Sequence, residues 1–177
     1  MYCQDHLTEA WFFASKAHKE QKYPGENLPY ITHIGEVMME VMSVASELKR
    51  AELALLCAIL HDTIEDTDVT HEMLKNKFSL DVADGVMALS KNGIFATKKE
   101  KMLDSLNRIK MQDKEIWVVK MADRVANLGE PPFHWSTEKR RAYKEEAQTI
   151  LNYLGSANRT MAKRLEKKII AYGEYCK

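Results

Sequence analysis

His61-Asp62 follows directly on an apolar run, Leu53 to Leu60. A carboxylate buried there without a partner would cost roughly several kcal/mol. A divalent cation offsets that cost, because imidazole nitrogen and carboxylate oxygen both ligate one well. An isolated His-Asp pair more often marks a helix surfacing into water. Three further features turn the reading toward a metal site. Glu65 and Asp66 lie four residues after His61 and Asp62, one helical turn along the same face. Asp123 shares a segment with Val118, Met121, Val125 and Leu128, which recur at core spacing, and Asn127 follows it by four. His33 comes just after Pro29-Tyr30-Ile31, at the start of a helix. A His, a His-Asp pair and a distant Asp, each from a different helix, could converge into a site of four nitrogen and oxygen ligands inside a bundle.

The elements that must position these residues read as helices. Only 7 Gly and 4 Pro interrupt the chain, so long helices are the default. The first is expected from about His6 to Gln21, stopping before the turn signal Tyr23-Pro24-Gly25. The second runs from about Ile34 to Val44. The third starts near Arg50 and is apolar all round, which marks a central, buried helix. Short helices follow at about His71 to Phe78, capped by Thr70, and Leu80 to Leu89, capped by Ser79. Thr97 and Glu100 form a capping box for a helix to about Lys110. Asp113 caps the helix that carries Asp123, and Gly129-Glu130-Pro131-Pro132 ends it. Two more helices are expected near Thr137 to Leu154 and Arg159 to Tyr175. The fold class is all-α: one domain over residues 1–177, a helical bundle of about eight to ten helices, with room for a short β-hairpin at Ser90 to Ile94.

The 177 residues can bury a sizeable core without disulfides. A composition 45% hydrophobic and 29% charged is that of a globular protein. The formal net charge is zero, so no basic footprint for nucleic acid exists at the level of the whole chain. No run is long enough to span a bilayer, and the first residues do not read as a signal peptide. Cys3, Cys57 and Cys176 lack ligand-like spacing and read as reduced thiols of a cytoplasmic protein. Cys57 sits in the apolar run and reads as core. Residue pattern leaves the oligomeric state open.

Five segments, in order, resemble the HD superfamily of metal phosphohydrolases: His18-Lys19-Glu20-Gln21, Pro29-Tyr30-Ile31-Thr32-His33, His61-Asp62-Thr63-Ile64-Glu65-Asp66-Thr67, Lys120-Met121-Ala122-Asp123-Arg124-Val125-Ala126-Asn127-Leu128 and, more loosely, Trp135 to Tyr143. The resemblance is closest to the guanosine tetraphosphate hydrolase domain of the RelA/SpoT family, and within it to stand-alone small alarmone hydrolases. It implies that His33, His61, Asp62 and Asp123 bind one divalent metal, usually Mn²⁺. It implies that Glu65 and Asp66 act on the water and the phosphate. It puts Asn127 and Tyr143 in a nucleotide pocket with Lys22-Tyr23 at its edge.

The activity so implied is hydrolysis of the 3′-pyrophosphate of guanosine tetra- or pentaphosphate. The partner is then a small nucleotide, with no nucleic acid or membrane. The sequence departs from the family at three places. Tyr23, preceded by Lys22, stands where the family usually has Arg; a tyrosine can stack on a base but brings no charge. Ile34 replaces the Pro that usually follows the first metal His. Gly129 stands where a basic residue is usual. The Lys22-Tyr23 departure keeps open an HD phosphohydrolase for another nucleotide phosphorylated at the ribose 2′ or 3′ position. A non-catalytic module that senses the nucleotide is the other alternative, against which the intact Glu65-Asp66 pair stands. His18 reads as a packing or hydrogen-bonding residue rather than a ligand, and Lys139-Arg140-Arg141 as a solvated helical face.

Overall fold

A computed structural model describes residues 2–23, 27–91 and 94–177. Its α-helices, in chain order, are α1 (Gln4–Ala17), α2 (Ile31–Met42), α3 (Ala51–Leu60), α4 (Thr63–Asp66), α5 (His71–Lys77), α6 (Leu80–Leu89), α7 (Lys98–Lys110), α8 (Lys114–Asn127), α9 (Thr137–Leu154) and α10 (Arg159–Tyr172). Short 3₁₀ turns cover Ala45–Glu47 and Gly173–Cys176. Among the described residues the one β-type pairing is an isolated bridge between Lys22 and Pro29. The expected hairpin at Ser90 to Ile94 and the turn at Pro24-Gly25 fall partly outside the described residues. Among the described residues no helix is long and apolar enough to cross a membrane.

The bundle is organised around α3. Every residue from Leu53 to Leu60 is buried, and a helix with no polar face must be enclosed on all sides. It packs against α1, α2, α6 and α8. The amphipathic helices contribute one stripe each: Leu7, Ala10 and Ala14 from α1, Val37 and Val41 from α2, Val118, Val119, Met121 and Val125 from α8. Cys57 lies in this core, as its neighbours required.

Local signals place most helix starts. Thr70, Ser79 and Ser136 each accept a hydrogen bond from the backbone amide three residues on. The Thr97–Glu100 capping box forms in both directions. Asp113 is different: it occupies the N-cap position of α8, but its carboxylate makes no cap bond and instead pairs with Arg50. The guanidinium brings a full positive charge to the carboxylate, where the backbone amide offers only a partial one. α1 ends at Ala17, short of Gln21, and α2 begins earlier than expected, at Ile31, so that His33 lies in its first turn. Residues 21–23 instead run alongside 28–30. Tyr23 donates its amide to Leu28 and Tyr30 to Gln21. That short ladder fixes Gln21 and Tyr30 beside the end of α3.

Gly85 on α6 lies close against α3 and α8. A Cβ there would stand 2.7 Å from Ile116 Cδ1 and 2.9 Å from Cys57 Sγ. Gly85→Ala would gain up to about 1 kcal/mol of helix propensity. Overpacking a filled core costs about 1–3 kcal/mol, so the clash should win. The expected result is a lower denaturant midpoint at an unchanged slope. A stabilised variant would show that the three helices have slack.

Candidate metal centre and active site

α3 loses its apolar character at His61, and the chain delivers two ligand candidates there at once. His61 is the C-cap of α3 and Asp62 leads into α4. The backbone turn continues, since Asp66 donates its amide to Asp62 at 2.9 Å, which keeps Glu65 and Asp66 on the same side as the pair before them. α2 brings His33 and α8 brings Asp123.

The four side chains meet. His33 Nε2 lies 3.7 Å from Asp62 Oδ2 and 3.5 Å from Asp123 Oδ1. His61 Nε2 lies 3.0 Å and 3.9 Å from the same two oxygens. His33, His61 and Asp62 offer donor atoms that all fall within 4.8 Å of one another. Such separations suit ligands around one ion with bonds of ~2 Å. Both histidines and Asp123 are buried.

The tautomer of His61 tests whether these residues fit a metal. Its Nδ1 lies 2.9 Å from the Ala58 carbonyl, which can only accept, so Nδ1 carries the proton. Nε2 then presents a lone pair toward two carboxylates. It is buried and makes no aligned hydrogen bond, even to the Asp62 oxygen at 3.0 Å. Three acceptors facing one another require a positive charge between them, and a divalent cation supplies it. Without a metal a proton must serve. Burial opposes charge on the ring, but Asp62 and Asp123 outweigh it and raise the His61 pKa to about 9. Burial likewise works against the charge on both acids and is overcome, in Asp62 chiefly by His61 and in Asp123 chiefly by Lys120 and the two histidines. Both carboxyls are held well below their usual range.

A layer of supporting bonds orients these groups. Tyr30 donates its hydroxyl to Asp62 Oδ2 at 2.6 Å. Burial, then the nearby carboxylates, raises that phenol far above its ordinary pKa, so it stays a donor. Lys120 donates to Asp123 Oδ2 at 3.0 Å, and Asn127 donates to Asp123 Oδ1 at 2.5 Å. Glu65 accepts from Lys91 twice, from the ammonium at 2.6 Å and the backbone amide at 2.7 Å. Asp66 Oδ2 accepts from Gln21 at 2.9 Å. The sequence reading missed Lys91, Tyr30 and Lys120 as partners. Only Lys120 left a signal, its place one helical turn before Asp123.

The four residues expected to bind substrate are placed unevenly. Asn127 joins the centre through Asp123. The ring of Tyr23 lies 6.2 Å from that of His33, and its hydroxyl donates to Glu36. Tyr143 is partly buried beneath the guanidinium of Arg124, 4.2 Å away, and against Trp135. Burial, then the charges of Asp123 and Glu146 acting against Arg124, raises the Tyr143 pKa. Lys22 is exposed, and its backbone forms the bridge to Pro29. Arg140 and Arg141 lie on an exposed helical face, as expected, and from it donate to the backbone carbonyls of Tyr175 and Cys176.

A raised His61 pKa sets a sign for metal binding. Below about pH 9 the metal-free ring is protonated, and a metal must displace that proton. Binding near pH 7 should therefore release close to one proton, and affinity should rise about tenfold per pH unit up to about 9. Calorimetry in buffers of different ionisation enthalpy measures this. Proton-neutral binding would place the metal elsewhere.

The geometry has close counterparts. The chain is 35% identical over 164 residues to a GTP pyrophosphokinase of Myxococcus xanthus, covering 88% of this chain and 20% of that protein. It is 29% identical over 173 residues to the guanosine-3′,5′-bis(diphosphate) 3′-pyrophosphohydrolase MESH1 of Danio rerio, covering 94% of both. This chain thus spans about a fifth of the first relative and nearly all of the second. A solved structure of a metazoan ortholog of SpoT superposes with a TM-score of 0.83 at 24% identity, over 98% of each chain, and shows the same fold. The profile of the HD domain matches residues 10–161, a span that holds His33, His61, Asp62 and Asp123, and the chain belongs to that family.

Proposed function

We propose that this protein removes the 3′-pyrophosphate of guanosine tetra- and pentaphosphate, giving GDP or GTP and pyrophosphate. The observation that carries the reading is the His33–His61–Asp62–Asp123 cluster with two further acids beside it, in a chain that matches a named 3′-pyrophosphohydrolase along nearly its whole length. His33, His61, Asp62 and Asp123 would hold one Mn²⁺, an ion well suited to mixed imidazole and carboxylate ligands. Three unpaired cysteines fit a cytoplasmic setting.

A bound divalent cation lowers the pKa of water and draws charge from phosphoryl oxygens. The chain's own residues do the rest. A water oxygen joins the phosphorus bonded to the ribose 3′-oxygen, and the bond from that phosphorus to the 3′-oxygen breaks. The Glu65–Asp66 pair takes one proton of the water and returns it to the leaving 3′-oxygen. Lys91 holds Glu65 by two bonds and carries positive charge next to the phosphates. Tyr143 and Asn127 line the nucleotide side, with Lys22 and Tyr23 at the edge.

Tyr23 favours a second reading. With tyrosine in place of a charged arginine plane, the edge of the site can stack on a base without selecting guanine. A nucleotide with another base, phosphorylated at the 2′ or 3′ position, fits the same chemistry.

Pyrophosphate release from guanosine tetraphosphate with Mn²⁺, beside Asp62→Ala, tests the first reading. Release by the wild type alone is expected. No release from a folded, metal-loaded protein would sink that substrate, and turnover of another phosphorylated nucleotide in a panel would establish the second reading. Glu65→Gln combined with Asp66→Asn should lower kcat about 10²–10⁴-fold while Mn²⁺ still binds. Unchanged turnover would remove the acid pair from the mechanism.

A further inference from the structure

His18 and Gln21 form a chain of hydrogen bonds that ends on Asp66. His18 caps the C-terminus of α1 and is 3% exposed. Its Nδ1 lies 2.6 Å from Gln21 Oε1, and Gln21 Nε2 donates to Asp66 Oδ2 at 2.9 Å. The polarity of this chain is fixed from one end. An ionised Asp66 can only accept, so Gln21 turns its amide NH₂ toward it and its carbonyl toward His18. His18 must then donate from Nδ1. Free imidazole in water prefers the other tautomer. The remaining nitrogen, Nε2, is buried and has no partner among the described residues, so at the ring only Gln21 selects the observed arrangement. The ring itself is held by Tyr30, whose centroid lies 5.0 Å away and whose hydroxyl anchors Asp62.

The two acids are held differently. Both oxygens of Glu65 already accept from Lys91. Asp66 gives one oxygen to Gln21, and among the described residues nothing bonds to its Oδ1.

We infer that His18, acting through Gln21, is a positioning residue that aims the open Oδ1 of Asp66 at the reacting water, making Asp66 the member of the acid pair that takes the proton. This rests on the hydrolytic reading above. His18 lies outside the His33–His61–Asp62 group and reaches Asp66 only through Gln21, so its loss should slow the chemical step and leave binding alone.

The test compares His18→Leu, Gln21→Met and His18→Asn with the wild type. Asn can present an NH donor where His18 Nδ1 stands, whereas Leu cannot. His18→Leu and Gln21→Met should lower kcat about 10–100-fold, with KM and Mn²⁺ affinity within about twofold of wild type. His18→Asn should recover most of the loss. Equal loss in His18→Asn and His18→Leu, or a loss of metal affinity, would reduce His18 to a packing residue and overturn the inference. Nitrogen-15 chemical shifts of His18 supply a readout without substrate. The wild type should show the Nδ1–H tautomer, and Gln21→Met should lose that preference. An Nε2–H ring in the wild type would overturn the relay even if hydrolysis is confirmed. If the substrate proves wrong, an Nδ1–H ring that depends on Gln21 would still support the relay.

Discussion

Two carboxylates and two imidazoles face one another where α3, apolar on every side, reaches its end. Asp62 and Asp123 are pressed by burial toward neutrality and held ionised by the charges around them. When His61 is neutral its Nδ1 proton faces the Ala58 carbonyl, and the lone pair of Nε2 turns toward both. Such a cluster is costly unless a cation sits inside it. Removing that cation leaves a proton as the substitute, and a proton on one ring is a smaller charge spread over fewer contacts.

The rest of the structure can be understood as the means of holding that cluster still. α3 must be buried on all faces to bring His61 into a low-dielectric setting, and α1, α2, α6 and α8 provide the cover. Each acid then receives a partner from a different part of the chain: Tyr30 on Asp62, Lys120 and Asn127 on Asp123, Lys91 on Glu65, Gln21 on Asp66. Anchoring from separate elements fixes orientation more firmly than anchoring from one, because no single backbone shift can move every partner together. It also holds two adjacent acids differently: Glu65 is clasped by the Lys91 ammonium, while Asp66 keeps one oxygen without a bond among the described residues.

Much of this was legible in the residues alone. Leu53 to Leu60 read as a central helix because no other environment suits it, and the cap residues Thr70, Ser79 and Thr97 act within four residues of themselves. His33, His61, Asp62 and Asp123 could be picked out because burying such groups has few explanations. The supporting bonds were not legible. Tyr30 and Asp62, or Lys91 and Glu65, are brought together by tertiary packing that leaves no trace in local spacing. Asp113 misled for the same reason: its cap signal is local, while the Arg50 that captures it lies 63 residues earlier in the chain. Gln21 and His18 belonged to a motif, yet the motif says nothing of the direction in which their hydrogen bonds run.

The central claim is that these four side chains hold one divalent ion. Diffraction from crystals grown with Mn²⁺, recorded at the manganese absorption edge, tests it most directly. A single anomalous peak among His33 Nε2, His61 Nε2, Asp62 and Asp123 is the predicted result. A peak elsewhere, or none at full occupancy of the protein, would contradict it and leave the buried acids to be explained by protons alone.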